Sequence, residues 1–202
     1  MTDRRAFLMM TAGVGLTATL PSSARAQSAE KAAAFIKSTG DRLVAVVNGA
    51  GSLADKRKAI GTIVLAVVDV DTIGRFCLGR FWRQATQDQQ KAYQSLFREV
   101  VITSVTSKLG EYQGVRFTVG RTRSQDEEQI VSTVVERPNN APATVDWVVA
   151  GVAATPRIVD VVAEGTSMRI TQRSDYAAYL QRNNNSIDAL IGAMRKQVEG
   201  GA

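Results

Sequence analysis

Val115-Arg116-Phe117-Thr118-Val119 is the stretch at which the chain changes its period. Apolar Val115, Phe117 and Val119 alternate with Arg116 and Thr118, the repeat of a strand with one wet face. Just upstream, Tyr93, Leu96, Phe97, Val100, Val101, Val105 and Leu109 recur at the three- and four-residue intervals of a helix. Just downstream, Ile130 to Val135, Val145 to Val152 and Ile158 to Val162 are β-branched runs. Asn139-Asn140-Ala141-Pro142 and Thr155-Pro156 supply the turns, and links this short make the strands antiparallel hairpin neighbours.

Outward on both sides the spacing is helical. Residues 28–48 are Ala-rich, with Phe35, Ile36, Leu43, Val46 and Val47 on one stripe. Ser52-Leu53-Ala54-Asp55 has the form of a capping box and opens a second helix to about Val68. Asp69 or Asp71 caps a short helix through Phe76, ended by Gly79. Thr86-Gln87-Asp88-Gln89 is another capping box. It begins what reads as the longest helix, with Gly110 as its stop. After the strands, Ser174 is placed to cap a helix through Leu180, and Ile187, Leu190, Ile191, Met194 and Val198 form a last apolar stripe. Helices flanking a consecutive antiparallel sheet make the class α+β, with about four strands packed against N- and C-terminal helices.

The first 26 residues read as an export signal. Met1 to Arg5 is short and basic, Phe7 to Leu20 is apolar without one charge, and Ala24-Arg25-Ala26 is a small-x-small cleavage pattern. The apolar run, about 14 residues, falls short of the ~20 that a spanning helix needs. Arg4-Arg5-Ala6-Phe7-Leu8 also resembles a twin-arginine signal, so the expected route is open between that and the general one. Cleavage after Ala26 takes 26 of the 202 residues and leaves 176, enough for a single domain spanning 27–202. The precursor has 25 basic and 19 acidic residues; with Arg4, Arg5, Arg25 and Asp3 removed, 22 against 18 leaves +4. A small, dispersed surplus is a soluble surface rather than a nucleic-acid footprint.

The chemistry that is missing narrows the function classes. The chain has no histidine, which removes Ser-His-Asp and Cys-His nucleophile systems and His-ligated zinc. Cys77 is the single cysteine and sits in the apolar string Ile73-Gly74-Arg75-Phe76-Cys77-Leu78, so it reads as a small buried hydrophobe. Gly49-Ala50-Gly51-Ser52 lacks the Lys-Ser/Thr of a phosphate loop and reads as a helix stop followed by a cap. Asp126-Glu127-Glu128 reads as a solvated turn, because three consecutive carboxylates do not converge on one ion. No spacing of acids suggests a glycosidase-like pair. The expectation is a non-enzymatic protein without metal or cofactor.

Two strands, Val145-Asp146-Trp147-Val148-Val149 and Ile158-Val159-Asp160-Val161-Val162, are apolar on both faces except for one aspartate each. A half-wet antiparallel sheet alternates more cleanly. Either helices cover both faces or the sheet curls around an apolar interior. A solid core and a ligand cavity need the same residue types, so composition does not separate them.

The segment Val68-Asp69-Val70-Asp71-Thr72-Ile73-Gly74-Arg75-Phe76-Cys77-Leu78-Gly79-Arg80-Phe81-Trp82-Arg83-Gln84-Ala85-Thr86 resembles the MlaC family, the toluene-tolerance or Ttg2-type auxiliary proteins. Their pattern runs F/V-D-x-x-x-x-A/G-R-x-x-L-G-x-x-W-R. Val159-Asp160-Val161-Val162-Ala163-Glu164-Gly165-Thr166-Ser167 resembles the family's Y-D-V-x-I-E-G-V-S string, and Gln172-Arg173-Ser174-Asp175-Tyr176 its Y-R-S-x-F string. The likeness runs through nearly the whole mature chain. It departs at Ala154-Thr155-Pro156-Arg157, where the family usually has a tryptophan on a strand, which hints at a divergent, hopanoid-associated branch.

The resemblance implies a periplasmic shuttle of phospholipid between inner and outer membranes. Its implied partners are an inner-membrane ABC transporter complex and an outer-membrane lipoprotein complex. Its cargo is phospholipid, or alternatively hopanoid, its membrane contact is transient, and it binds no nucleic acid. A non-lipid-binding envelope adaptor is the remaining alternative. Exposed methylenes cost on the order of 0.8 kcal/mol each, so such a carrier needs an apolar lipid pocket and no reactive group. The residues expected to line it are Tyr93, Phe97, Val101, Val105, Phe117, Val134, Val145, Trp147 and Val149, each equally able to serve as plain core. Trp82 is expected to be structural; Arg80 or Arg83 either meets a lipid phosphate or is simply solvated.

Overall fold

The computed structural model describes residues 22–107 and 109–200. The basic start, the apolar run and Pro21 of the expected signal lie outside these residues. Helix α1 (Ser22–Asn48) is followed by α2 (Leu53–Val67), opened by Ser52, whose hydroxyl accepts the Asp55 N–H. Asp69, not Asp71, caps α3 (Val70–Leu78), accepting the Thr72 N–H at 3.0 Å. Gly79, at φ +58°, ends it in a conformation that favours glycine, and Gly79–Arg83 winds on as a 3₁₀ turn. Helix α4 (Gln87–Thr106) starts on a complete capping box, with Thr86 and Gln89 exchanging side-chain bonds at 3.2 and 3.0 Å.

Two helix expectations need correction. With 27 residues against 20, α1 is longer than α4. Nor does Gly110 stop α4: the helix closes at Thr106, and Leu109–Tyr112 forms a separate 3₁₀ turn.

Strands β1 (Arg116–Gln125), β2 (Glu128–Glu136), β3 (Ala143–Ala150) and β4 (Arg157–Ala163) pair in sequence order, every pair antiparallel. A fifth strand, β5 (Thr166–Ser167), adds two residues on the edge of β4, too short for periodicity to reveal. Register shifts between Val119 and Thr122 and between Val148 and Val149 bend the sheet, giving it a concave face. Helix α5 (Met168–Arg182) begins on Ser167, whose Oγ accepts the Ile170 N–H. Ser174 is therefore a mid-helix residue and not the cap. Helix α6 (Ile187–Gly200) closes the described chain. No helix among the described residues is long and apolar enough to cross a membrane.

The packing is uneven. One end is a solid core in which Leu78, Tyr93, Phe97, Leu180, Leu190 and Met194 from α3, α4, α5 and α6 interlock. Tyr93 stacks on Phe97 at 5.7 Å between ring centroids and meets Tyr176 edge-on at 6.1 Å. A second cluster lies between α1 and the sheet, with Ala32, Ile36, Val131, Val149 and Ile158 buried together. The junction of α2 and α3 is pinned to β4, since the Asp69 N–H donates to the Ile158 carbonyl at 2.9 Å. Arg157 adds a bond to the Ala66 carbonyl in the last turn of α2.

Gly40 on α1 sets how closely that helix approaches β1. A Cβ there would come within 2.4 Å of the Phe117 ring. Gly40→Ala is expected to lower stability by about 1–3 kcal/mol in urea unfolding, the usual cost of overpacking. The double variant Gly40→Ala/Phe117→Leu should recover most of the loss, because the smaller side chain yields the space.

Candidate lipid-binding cavity

Between α1, α2, α4 and the concave face of the sheet lies an apolar cavity with two lobes of about 450 and 430 Å³. Both lobes are lined by Thr39 and Leu43 of α1, Ser104 and Val105 of α4, Trp147, Val161 and Met168. These seven residues form a common neck. Val105 and Met168 are 45% and 43% exposed, so the neck is also the rim that faces water. The first lobe runs towards α3 and α5, past Val64, Val67, Val101, Phe97 and Cys77. The second runs towards Val115, Phe117, Val135, Leu109 and Tyr112.

Trp147 is held in place from beneath. Its indole N–H donates to the Thr133 hydroxyl at 2.9 Å, and that hydroxyl donates to the Val145 carbonyl at 3.0 Å. Thr133 is 1% exposed, so the relay satisfies a buried hydroxyl while fixing the ring against the neck. Polar groups gather at one end of the first lobe: Asp160, Arg169, Thr171, Gln172 and Asp175. Asp160 is 5% exposed and fully engaged. Its carboxylate accepts the Val161 and Arg169 N–H groups at 2.8 and 3.1 Å and the Ser167 hydroxyl at 2.6 Å. The Arg169 guanidinium lies 3.4 Å away, near enough for charge attraction although its Nε is not aligned for a hydrogen bond.

Of the nine expected lining residues, the structure brings Phe97, Val101, Val105, Phe117 and Trp147 to the cavity wall. Tyr93 shares the α4 stripe but is two turns away from Val101, where α3, α5 and α6 close over it; its hydroxyl donates to the Gly74 carbonyl at 2.8 Å. Val149 is fully buried under α1, in filled core. Val134 is on the wrong parity: Val135 lines the second lobe, so its neighbour Val134 points to the convex face and is 36% exposed. Val145 is half-buried opposite Thr133 and Ala163 and does not line either lobe. Sequence reasoning missed the helical wall, Thr39, Leu43, Val64 and Val67, together with Val161 and Met168. Leu43 lay on a legible stripe, yet nothing local says that its stripe faces space rather than core. Among the described residues no group of three or more acidic or cysteine side chains is placed to hold a metal.

A curved antiparallel sheet gripping a forked apolar interior defines an α+β pocket protein rather than a solid-core domain. The particular family follows from the sequence as a whole: residues 25–196 match the MlaC protein family, and the chain belongs to it. Among its relatives is the toluene tolerance protein ttg2D of Pseudomonas putida, 25% identical over 142 residues, which are 69% of this chain and 66% of that protein. The match thus spans just under two thirds of the relative's length. A solved structure with the same fold is that of a phospholipid-binding protein from Ralstonia solanacearum in complex with a phospholipid. It superposes with a TM-score of 0.74 at 20% identity, covering 84% of this chain and 98% of that one.

Cys77 reports on the cavity wall. Burial pushes its thiol up from 9.0 to about 12; the nearby Asp160 charge adds to this, and Arg173 and Arg169 oppose it. The thiolate is therefore disfavoured in the fold and free to form in the unfolded chain. Unfolded molecules release the proton first, so stability is complete below about pH 9 and falls as pH rises towards about 12. Tyr93 and Tyr176, also raised by burial, add to the fall above their ordinary value of 10.0. Urea unfolding across pH 8 to 10 should show this decline beginning near pH 9, and Cys77→Ala should flatten it while lowering the baseline.

Proposed function

We propose that the chain is a non-enzymatic lipid carrier of the periplasm, made with a signal peptide at residues 1–26, of the twin-arginine or the general type, with residues 27–202 as the mature carrier domain. Its cargo is phospholipid, moved between the inner and outer membranes. It exchanges that cargo with an inner-membrane ABC-type transport complex and an outer-membrane lipoprotein complex. Membership of the MlaC family and the shared fold of a phospholipid-bound protein support this reading.

The observation that carries it is the pair of lobes meeting at one exposed rim. A diacyl lipid has the matching shape, two chains diverging from one polar end. Taking a methylene as about the size of a water, ~30 Å³, each lobe has room for on the order of fifteen such groups. Transfer from water at ~0.8 kcal/mol per methylene makes such a chain a strongly favoured occupant. Release then needs no bond-breaking, only a second apolar site. The fork fits a rigid polycyclic lipid such as a hopanoid less well, because one stiff body fills one lobe and leaves the other lined but unused.

Native mass spectrometry of the mature protein purified from a bacterial envelope should find stoichiometric phospholipid. Val105→Glu, which puts a carboxylate on the rim at a position the fold already exposes, should lower the lipid-bound fraction about tenfold by desolvating an unpaired charge against the cargo. A protein that stays lipid-free after incubation with liposomes would overturn the reading in favour of an adaptor.

A further inference from the structure

We propose that the face built by α3, the 3₁₀ turn after it and α5 is a docking surface for anionic bilayers, which sets the cavity rim against the membrane. Arg75, Arg80, Arg83 and Arg173 are exposed on this face, and among the described residues none of them makes an ion pair. Three are held instead by aromatic rings. Arg75 lies over Trp82 at 5.5 Å, Arg80 over Phe81 at 4.9 Å, and Arg173 over Phe76 at 4.8 Å. A guanidinium over a ring spends no N–H on a carboxylate, and its N–H fork matches the oxygens of a phosphate.

The patch is continuous with the rim of the cavity. Phe76 carries Arg173 on one contact and Arg169 on another at 5.1 Å, and Arg169 lines the first lobe. Beside Arg169 in the first turn of α5, Met168 and Ile170 are 43% and 55% exposed. Exposed apolar side chains flanked by unpaired arginines are the composition of a surface that sits in the headgroup layer. Nearby acids do little to cancel the charge: Asp160 is buried and held by Arg169, and Asp71 is bridged to Arg98. Asp175 is at the edge of the first lobe, and Asp69 is at the far end of α3 from Arg80 and Arg83, as its N-cap.

The choice of a bilayer over an acidic protein rests on the carrier reading, since the patch borders the opening through which a lipid would pass. Vesicle flotation tests it, comparing phosphatidylcholine alone with an equal mixture of phosphatidylcholine and phosphatidylglycerol. Partitioning should be selective for the mixed vesicles and fall steeply with salt. Arg75→Glu and Arg173→Glu should each weaken it by about fivefold or more, the value of one basic residue near an anionic surface. Arg83→Gln, which touches no aromatic ring, serves as a variant that does not disturb packing and should give a smaller loss. Lipid load by native mass spectrometry should stay at wild-type values in all three, as should the melting curve of Arg83→Gln. Arg75→Glu and Arg173→Glu each lose a ring contact and should melt only a few degrees lower at most. Equal, salt-insensitive partitioning onto both vesicles would overturn the proposal, as would variants that bind like wild type. So would absence of vesicle binding alongside salt-sensitive binding to polyglutamate, which assigns the patch to an acidic protein. A lipid-free native mass with intact vesicle selectivity would remove the carrier reading and leave the docking surface standing.

Discussion

The carboxylate of Asp160 is the point on which the arrangement depends. It is buried at the junction of β4 and α5, and it binds groups from three places at once: its own strand, the Ser167 cap and the first turn of α5. A buried charge is costly unless it is hydrogen-bonded and paired. Here two backbone N–H groups and a hydroxyl bond the carboxylate, while the Arg169 guanidinium, 3.4 Å away, offsets its charge. Satisfying that one group fixes where the sheet ends, where α5 starts and how Met168 and Arg169 are presented. The Cys77 thiol, donating to the Arg169 carbonyl at 3.5 Å, then ties α3 to the same turn. Breaking the carboxylate's partners would loosen the strand edge, the helix start and one end of the cavity together.

A fold that encloses apolar space must find its stability elsewhere, because the walls of a cavity lack contacts on one side. In this molecule the compensation is spatially separated. The aromatic block around Tyr93, Phe97 and Tyr176 and the close packing of α1 on Val131, Val149 and Ile158 flank the lobes without filling them. Trp147, the bulkiest group at the neck, is braced by Thr133 rather than by neighbours above it. The wall is therefore stiff on the strand side. On the helix side it is made of Leu43, Val64, Val67 and Val101, aliphatic chains on long elements.

Features set by local chemistry could be read from the sequence. The Ser52 cap, the capping box at Thr86, the Asp69 cap and the Gly79 stop each follow from two to four adjacent residues and lie where they were expected, although Asp55 takes the Ser52 hydroxyl and so leaves the box at Ser52 half formed. The change of period at Val115 places the sheet between helices for the same reason. What failed depended on non-local facts. Ser174 has the right chemistry for a cap but Ser167 takes the role, because the Asp160 carboxylate on β4, across the turn into α5, accepts the Ser167 hydroxyl and the Arg169 N–H. Tyr93 and Val101 share one stripe, and only the closing of α5 and α6 over the former makes one solid core and the other cavity wall. Val134 was lost to parity: in a run of β-branched residues every position is apolar, so the inward set is fixed by pairing with Thr144 and Thr118, not by composition. The helical half of the wall was invisible because a stripe facing space and a stripe facing core have the same spacing.

The two lobes beside a close-packed helical end give the molecule an uneven mechanical character. Close-packed interiors resist compression, whereas internal voids shrink or flood, and the volume lost on unfolding scales with the void removed. Hydrostatic pressure would thus act on the sheet-facing half and spare the aromatic half. A chain seated in either lobe supplies the missing contacts from inside, so filling the lobes would make the two halves respond alike.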